Sequence, residues 1–192
     1  MSEIEQNLRP QSPGRLLKTV VMVGMMGAGK TAVGRALAAR LAVPFLDSDI
    51  EIETAANMSV PEIFTRDGER FFRDKETKVI RRLLNEERCV LSTGGGAFLA
   101  QENREMISRR GVSVWLRADL RVLWNRVRHK ETRPLLRTRD PRGTLGELYT
   151  VRVPLYSKAD LVVDSDGIAS IEQMVDRVLM ALETRPDVLE KS

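Results

Sequence analysis

Residues 24–31 read Gly-Met-Met-Gly-Ala-Gly-Lys-Thr, fitting the pattern G-x-x-x-x-G-K-[ST]. Glycines let a backbone curl until successive N–H groups face one anion, and a helix opening at the lysine adds its positive dipole end. Lys30 then reaches the outer phosphates of a nucleoside triphosphate, and the Thr31 hydroxyl suits Mg²⁺. A second candidate is Asp47-Ser48-Asp49. Alternate residues of an extended segment point the same way, so the two carboxylates are expected to share a face, one toward Mg²⁺ and one toward a substrate hydroxyl. Asp and Ser are also favoured helix caps, so one of the three is expected to cap. Further along lie Arg73, with Glu69 at i−4 and Glu76 at i+3, the run Gly94-Gly95-Gly96, and Arg152. Arginine forks hold carboxylates by paired hydrogen bonds, and glycine backbone lets a ligand approach closely. The plainer alternatives are a surface ion pair at Arg73, a simple turn at 94–96 and a solvated helix residue at Arg152.

Such groups need elements to position them. The phosphate loop must follow a strand and open a helix, and Thr19–Val23 (TVVMV) and the apolar spacing of 31–41 supply both. Further strands are expected at 43–46, 89–92, 112–116 and 161–163, the second ending at Asp47 and the third at the glycine run. Helical spacing covers 49–85 with breaks at 57–61 and 67–68, and recurs at 101–109, 119–129, 145–156 and 168–182. Alternation of strands and helices predicts βαβ units and a parallel sheet covered on both faces, with ligands beyond the carboxyl ends of the strands.

The chain has 192 residues, which suits one domain. It carries 31 Lys+Arg against 27 Asp+Glu, so its partner is a nucleic acid, a membrane surface or a small polyanion. Seven of the basic residues fall in 126–142 rather than being interleaved with aromatics, which argues against a nucleic-acid face. The longest nearly unbroken apolar run, 20–26, is too short to span a bilayer, and no amphipathic membrane helix stands out. A single cysteine, Cys89, and a single histidine, His129, exclude a disulfide framework and His-cluster metal chemistry. Residues 1–15 and 184–192 are expected to be polar tails around one domain over 16–183. The polar, acidic start predicts a cytoplasmic location. The Arg-, Pro- and Gly-rich stretch 130–143 is expected to be a loop within a lid over 126–143 that closes on nucleotide and excludes water.

Three further segments carry a family resemblance: Gly68-Glu69-Arg70-Phe71-Phe72-Arg73-Asp74-Lys75-Glu76, then Ser92-Thr93-Gly94-Gly95-Gly96, then Arg133-Pro134-Leu135-Leu136 ahead of Arg152-Val153-Pro154-Leu155-Tyr156. With the phosphate loop and Asp-Ser-Asp, and in this order over roughly 16–182, they resemble the shikimate kinase family. The resemblance implies a three-layer α/β/α phosphate-loop kinase with a five-stranded parallel sheet in the order 2-3-1-4-5. It implies Mg²⁺-dependent phosphorylation of the 3-hydroxyl of shikimate by ATP, with release of ADP, on the route to chorismate and the aromatic amino acids. It assigns Gly27, Ala28, Gly29, Lys30, Thr31, Ala32 and Arg133 to the nucleotide phosphates and, by ungapped spacing, Arg126 to the adenine. Thr31 and Asp47 fall to the metal, while Asp49, Arg73, Gly94, Gly95, Gly96 and Arg152 fall to shikimate, with Glu76 orienting Arg73. Lys30, Asp49 and Arg133 are the catalytic expectations, and a monomer is expected. The family often has three residues between the tyrosine and the Ala-Asp before the last strand, and here Ser157 and Lys158 are two. The alternative acceptors, on a related phosphate-loop kinase, are gluconate and a nucleoside monophosphate.

Overall fold

The structure is a computed structural model and describes residues 13–86, 88–130 and 133–191. Its elements run β1 (Arg15–Leu16), β2 (Thr19–Val23), α1 (Lys30–Leu41), β3 (Phe45–Asp47), α2 (Ser48–Ala56), α3 (Val60–Glu86), β4 (Val90–Ser92), α4 (Gln101–Arg110), β5 (Gly111–Arg117), α5 (Leu120–Val127), α6 (Pro141–Tyr156), β6 (Leu161–Asp164), α7 (Ile171–Leu182) and β7 (Leu189–Glu190). Short 3₁₀ turns occupy Ala97–Leu99 and Pro134–Leu136.

Strand β2 is all β-branched or long apolar, which suits a strand covered on both faces, and all five residues are buried. It pairs in parallel with β4 and β5, placing Val20 between Val90 and Val112. Strands β3 and β6 complete a sheet of order β3-β4-β2-β5-β6, which is 2-3-1-4-5 when only its own strands are counted. Helices α1 and α7 pack on each other over one side of the sheet, and α4 packs on β5 and against α3 over the other. Every strand of this sheet therefore delivers its carboxyl end to the same edge. No helix among the described residues is long and apolar enough to cross a membrane.

Two breaks aim the helices. Asn57 ends α2 in the left-handed conformation (φ 51°), where asparagine is tolerated. Gly68 interrupts α3 at φ 86° and ψ 169°. Nothing lies within 4 Å of where its Cβ would be, so the backbone angle, not crowding, requires glycine there.

The structure departs from the sequence expectations at several joints. Cys89 is buried, but the strand begins at Val90. The strand expected at 43–46 is shifted to Phe45–Asp47. The expected loop 130–143 gives way to helix from Pro141, because Asp140 caps the Gly143 N–H and Pro141 takes the first helical turn. Residues 131 and 132 of that loop lie outside the described residues. The polar C-terminal tail holds a strand, since Val188 and Leu189 are buried and β7 pairs antiparallel with β1. Of the expected N-terminal tail, 1–12 lie outside the described residues and Arg15 is already paired.

Candidate functional site

The phosphate loop leaves β2 at Val23 and turns through Gly24 (φ 142°), Gly27 (φ 81°) and Gly29 (φ 96°), angles open to glycine and strained for other residues. Gly29 is the N-cap of α1 with no side-chain cap bond, so the first-turn N–H groups of that helix have no side chain competing for them. Lys30 Nζ donates to the Gly24 and Met25 carbonyls at 2.8 and 3.0 Å. Burial, followed by repulsion from Arg133, lowers its pKa to about 8; Arg152 adds to the lowering while Asp49 and Asp47 oppose it. The couplings bring together side chains from a strand end, three helices and the segment ahead of α6.

Asp47 ends β3 and caps α2, its Oδ1 accepting from the Asp49 and Ile50 N–H groups at 2.9 and 3.3 Å. The helix thus starts at Ser48, and the expected extended alternation of Asp47 and Asp49 does not occur. The two carboxylates still meet electrostatically: burial first, then repulsion from Asp47, raises the Asp49 pKa to about 6. Asp49 Oδ1 is buried with no hydrogen-bond partner among the described residues. A buried carboxylate oxygen without a donor is costly in an isolated chain, which is the mark of a group kept for a ligand.

Gly94-Gly95-Gly96 follows β4 and forms the floor on which three side chains converge. A Cβ on Gly94 would stand 2.9 Å from Asp49 Oδ1, and one on Gly95 2.6 Å from Arg152 Nη1. One on Gly96 would run into the Arg73 guanidinium. The glycines are needed for close approach, and 94–96 is therefore more than a turn. Arg73 is ion-paired as the sequence suggests, to Glu76 at 2.8 Å and to Glu69 at 3.7 Å. Glu76 is only 1% exposed, so the first pair is fixed, while Glu69 is exposed and adds little. Burial raises the Glu76 pKa and Arg73 opposes it; Glu76 Oε2 is buried without a hydrogen-bond partner among the described residues. Arg152 is buried, not solvated. Arg133 is half-buried, with its Nε unpartnered among the described residues.

Thr31 and Ala32 open α1, and Ala28 packs inside the loop. Arg126 donates to the Gly27 carbonyl at 2.9 Å and to Ser165 Oγ at 3.1 Å, which places it on the phosphate loop. His129 is exposed. Among the described residues no three His, Cys, Asp or Glu side chains form a metal cluster. Mg²⁺ needs only one or two protein oxygens beside phosphates and water, and the Thr31 hydroxyl and the second oxygen of Asp47 are hard donors of that kind.

Sequence reasoning missed Ser48, Tyr156 and Ser165. Ser48 is fully buried, and its Oγ accepts the Gly94 N–H at 3.3 Å. Tyr156 donates to the Gly95 carbonyl at 2.5 Å. Its position four residues after Arg152, on one helix face, was the available signal. For Ser165, a partner 39 residues from Arg126, there was none.

The model of the shikimate kinase family matches residues 26–183. The shikimate kinase of Ruegeria pomeroyi is 73% identical over 195 residues, covering 100% of both chains. That of Cereibacter sphaeroides is 67% identical over 180 residues, 94% of this chain and 90% of its own. Among solved structures, the shikimate kinase from Acinetobacter baumannii in complex with shikimate matches with a TM-score of 0.82 at 37% identity, over 88% of this chain and 95% of that one. A phosphate loop, a glycine floor and three side chains converging on it agree with these likenesses over most of the chain, and the protein belongs to the shikimate kinase family.

Proposed function

We propose that this chain transfers the γ-phosphoryl group of ATP to the 3-hydroxyl of shikimate. The observation that carries the reading is the meeting of Asp49, Arg152 and Arg73 on three consecutive glycines, within electrostatic reach of Lys30 and Arg133. Shikimate is a small carboxylate with hydroxyls. Arg152 and Arg73 present planar forks to its carboxylate, and Glu76 fixes the orientation of Arg73. Asp49 Oδ1, lacking a donor, accepts a hydrogen bond from the acceptor hydroxyl and holds it in line with the γ-phosphorus. The hydroxyl oxygen forms the new P–O bond as the bond to ADP breaks, and its proton passes to Asp49. In a loose transition state that transfer comes late, so Asp49 is first a positioner and then a base.

Lys30 and Arg133 stabilise the charge on the transferring group without rearrangement. Phosphate oxygens replace the Gly24 and Met25 carbonyls as partners of Lys30. Thr31 and Asp47 would hold Mg²⁺, which when bound neutralises phosphate charge. Gly27, Ala28, Gly29 and Ala32 complete the phosphate cradle, and Arg126 stacks on the adenine from its place on the loop. Residues 126–143 act as the lid, and the chain works as a cytoplasmic monomer. The high identity to shikimate kinases does not favour gluconate or a nucleoside monophosphate as acceptor.

A coupled ADP-release assay with shikimate, gluconate, AMP and CMP tests the reading. Turnover with shikimate alone is expected, and turnover only with gluconate or a nucleotide would overturn it.

A further inference from the structure

Tyr156 is one of the largest fully buried side chains, yet nothing in the mechanism above uses it. Its ring packs on Trp115 with centroids 6.1 Å apart, which accounts for the ring but not for the hydroxyl. A buried phenol oxygen needs partners, and this one donates to the Gly95 carbonyl at 2.5 Å. The Arg152 guanidinium, one helical turn earlier on α6, acts on it electrostatically. The same two groups meet at Gly95 from the other direction: a Cβ there would stand 2.6 Å from Arg152 Nη1 and 3.5 Å from the Tyr156 oxygen.

A phenol has one proton and two lone pairs. Once the proton is committed to Gly95, the oxygen acts only as an acceptor, and a guanidinium, which only donates, is its matching partner. We propose that Tyr156 is a positioning residue for the acceptor carboxylate, its hydroxyl tying the Gly95 backbone to Arg152 so that the guanidinium fork stands ready before substrate enters. The inference rests on the shikimate reading and adds a residue to it. Burial moves the phenol pKa up to about 12, so the hydroxyl stays neutral and leaves the Arg152 charge free for the substrate.

Tyr156→Phe removes the oxygen and keeps the ring. The expected result is a rise of roughly tenfold in KM for shikimate, the scale of one hydrogen bond to a charged group. The kcat and the KM for ATP stay within about twofold. A general loss of packing would not produce the second readout, which compares shikimate with its methyl ester. The wild-type preference for the free carboxylate narrows in the variant, because the lost contact acts on that group alone. Tyr156→Met, unbranched and without a hydroxyl, repeats the comparison should the phenylalanine variant melt early. An active variant that keeps the wild-type preference, or loses equally on both acceptors, overturns the role of Tyr156. Failure of the wild-type enzyme to use shikimate overturns the functional reading, and this inference with it.

Discussion

Lys30 and Asp49 are each held against the charge that catalysis asks of them. Burial disfavours the ammonium of one and the carboxylate of the other, and their mutual attraction recovers only part of that. For Asp49 the folded pKa, about 6, lies above the ordinary carboxylate value, so folding favours its protonated form. The contribution of Asp49 to stability is then most favourable below about pH 4, falls as pH rises toward 6, and stays lowered above that. Asp49→Asn removes the deficit. After allowance for its partial exposure, the gain is about 1–2 kcal/mol, a rise of a few degrees in Tm. The same change lowers kcat roughly 100-fold or more, by loss of the group that holds the hydroxyl. In the wild type, kcat/KM falls below about pH 6, where Asp49 protonates, and above about pH 8 in the free enzyme, where Lys30 loses its proton. In Asp49→Asn the acid limb disappears and the alkaline limb moves to lower pH, because Asp49 supports the lysine charge. Melting curves and pH–rate profiles check both; an unchanged acid limb would exclude Asp49 as the titrating group. At this scale the sequence was informative about residue identity, since glycine, lysine and paired acids have few other uses at such spacing. It was silent on Ser48 and the hydroxyl of Tyr156, whose residue types serve many purposes and whose partners lie 46 and 61 residues away.

The elements convert that list into a site by where they stop. Strand β3 ends at Asp47 because the aspartate is already capping α2, and Gly68 breaks α3 before the turn that carries Arg73 and Glu76. Strand β4 ends just before Thr93, whose N–H and hydroxyl both return to the Met22 carbonyl, locking the glycine floor beside the central strand. The turn after the floor is braced: Asn103 donates to the Ala97 carbonyl, and Arg104 to those of Phe98 and Leu99. Alternation and apolar runs made the strands legible, because parallel strands buried on both faces carry a strong local signal, whereas their order in the sheet came only with the family resemblance. Their ends were less legible, since capping aspartates at 47 and 140 override the apolar period within a residue or two. A rigid floor makes a sharp prediction. Gly95→Ala is tolerated by the backbone, which is not in the left-handed region. Its methyl group would stand 2.6 Å from Arg152 Nη1, so the tip of that buried side chain must shift while the backbone need not. The expected outcome is a rise in KM for shikimate of roughly 10- to 100-fold, by loss of a paired guanidinium contact, with Tm within about 2 °C and KM for ATP unchanged. Equal effects on both substrates would show that the floor does not act through Arg152.

At the scale of the whole molecule, the chemistry gathers at one edge of the sheet, and residues 15–18 clasp residues 187–190 at the other. At the first edge Lys30, Arg73, Arg133 and Arg152 face the carboxylates of Asp47, Asp49 and Glu76, an excess of one positive charge within the chain's net +4, and await two anions. At the second edge β1 and β7 form a small separate sheet. Leu17 donates to the Val188 carbonyl at 2.7 Å, Lys18 pairs with Asp187 at 2.8 Å, and Leu16, Val188 and Leu189 are buried. A nine-residue end rich in charge reads as a tail in sequence, and two buried aliphatics among it are too few to show a period. Five residues of β2, roughly 17 Å, separate this clasp from the phosphate loop. The family match stops at 183, short of β7. Removing residues 185–192 should therefore separate stability from catalysis. Two aliphatic side chains at about 1.5–3 kcal/mol each, less the ordering cost of the segment, give a net loss of about 3 kcal/mol. For a chain of this size that lowers Tm by about 6–12 °C. At a temperature where the shortened chain is folded, kcat and both KM values stay within about twofold. A truncated protein with the wild-type Tm would show that the clasp is not a structural brace, and a raised KM for shikimate or ATP would show that the two edges of the sheet are coupled.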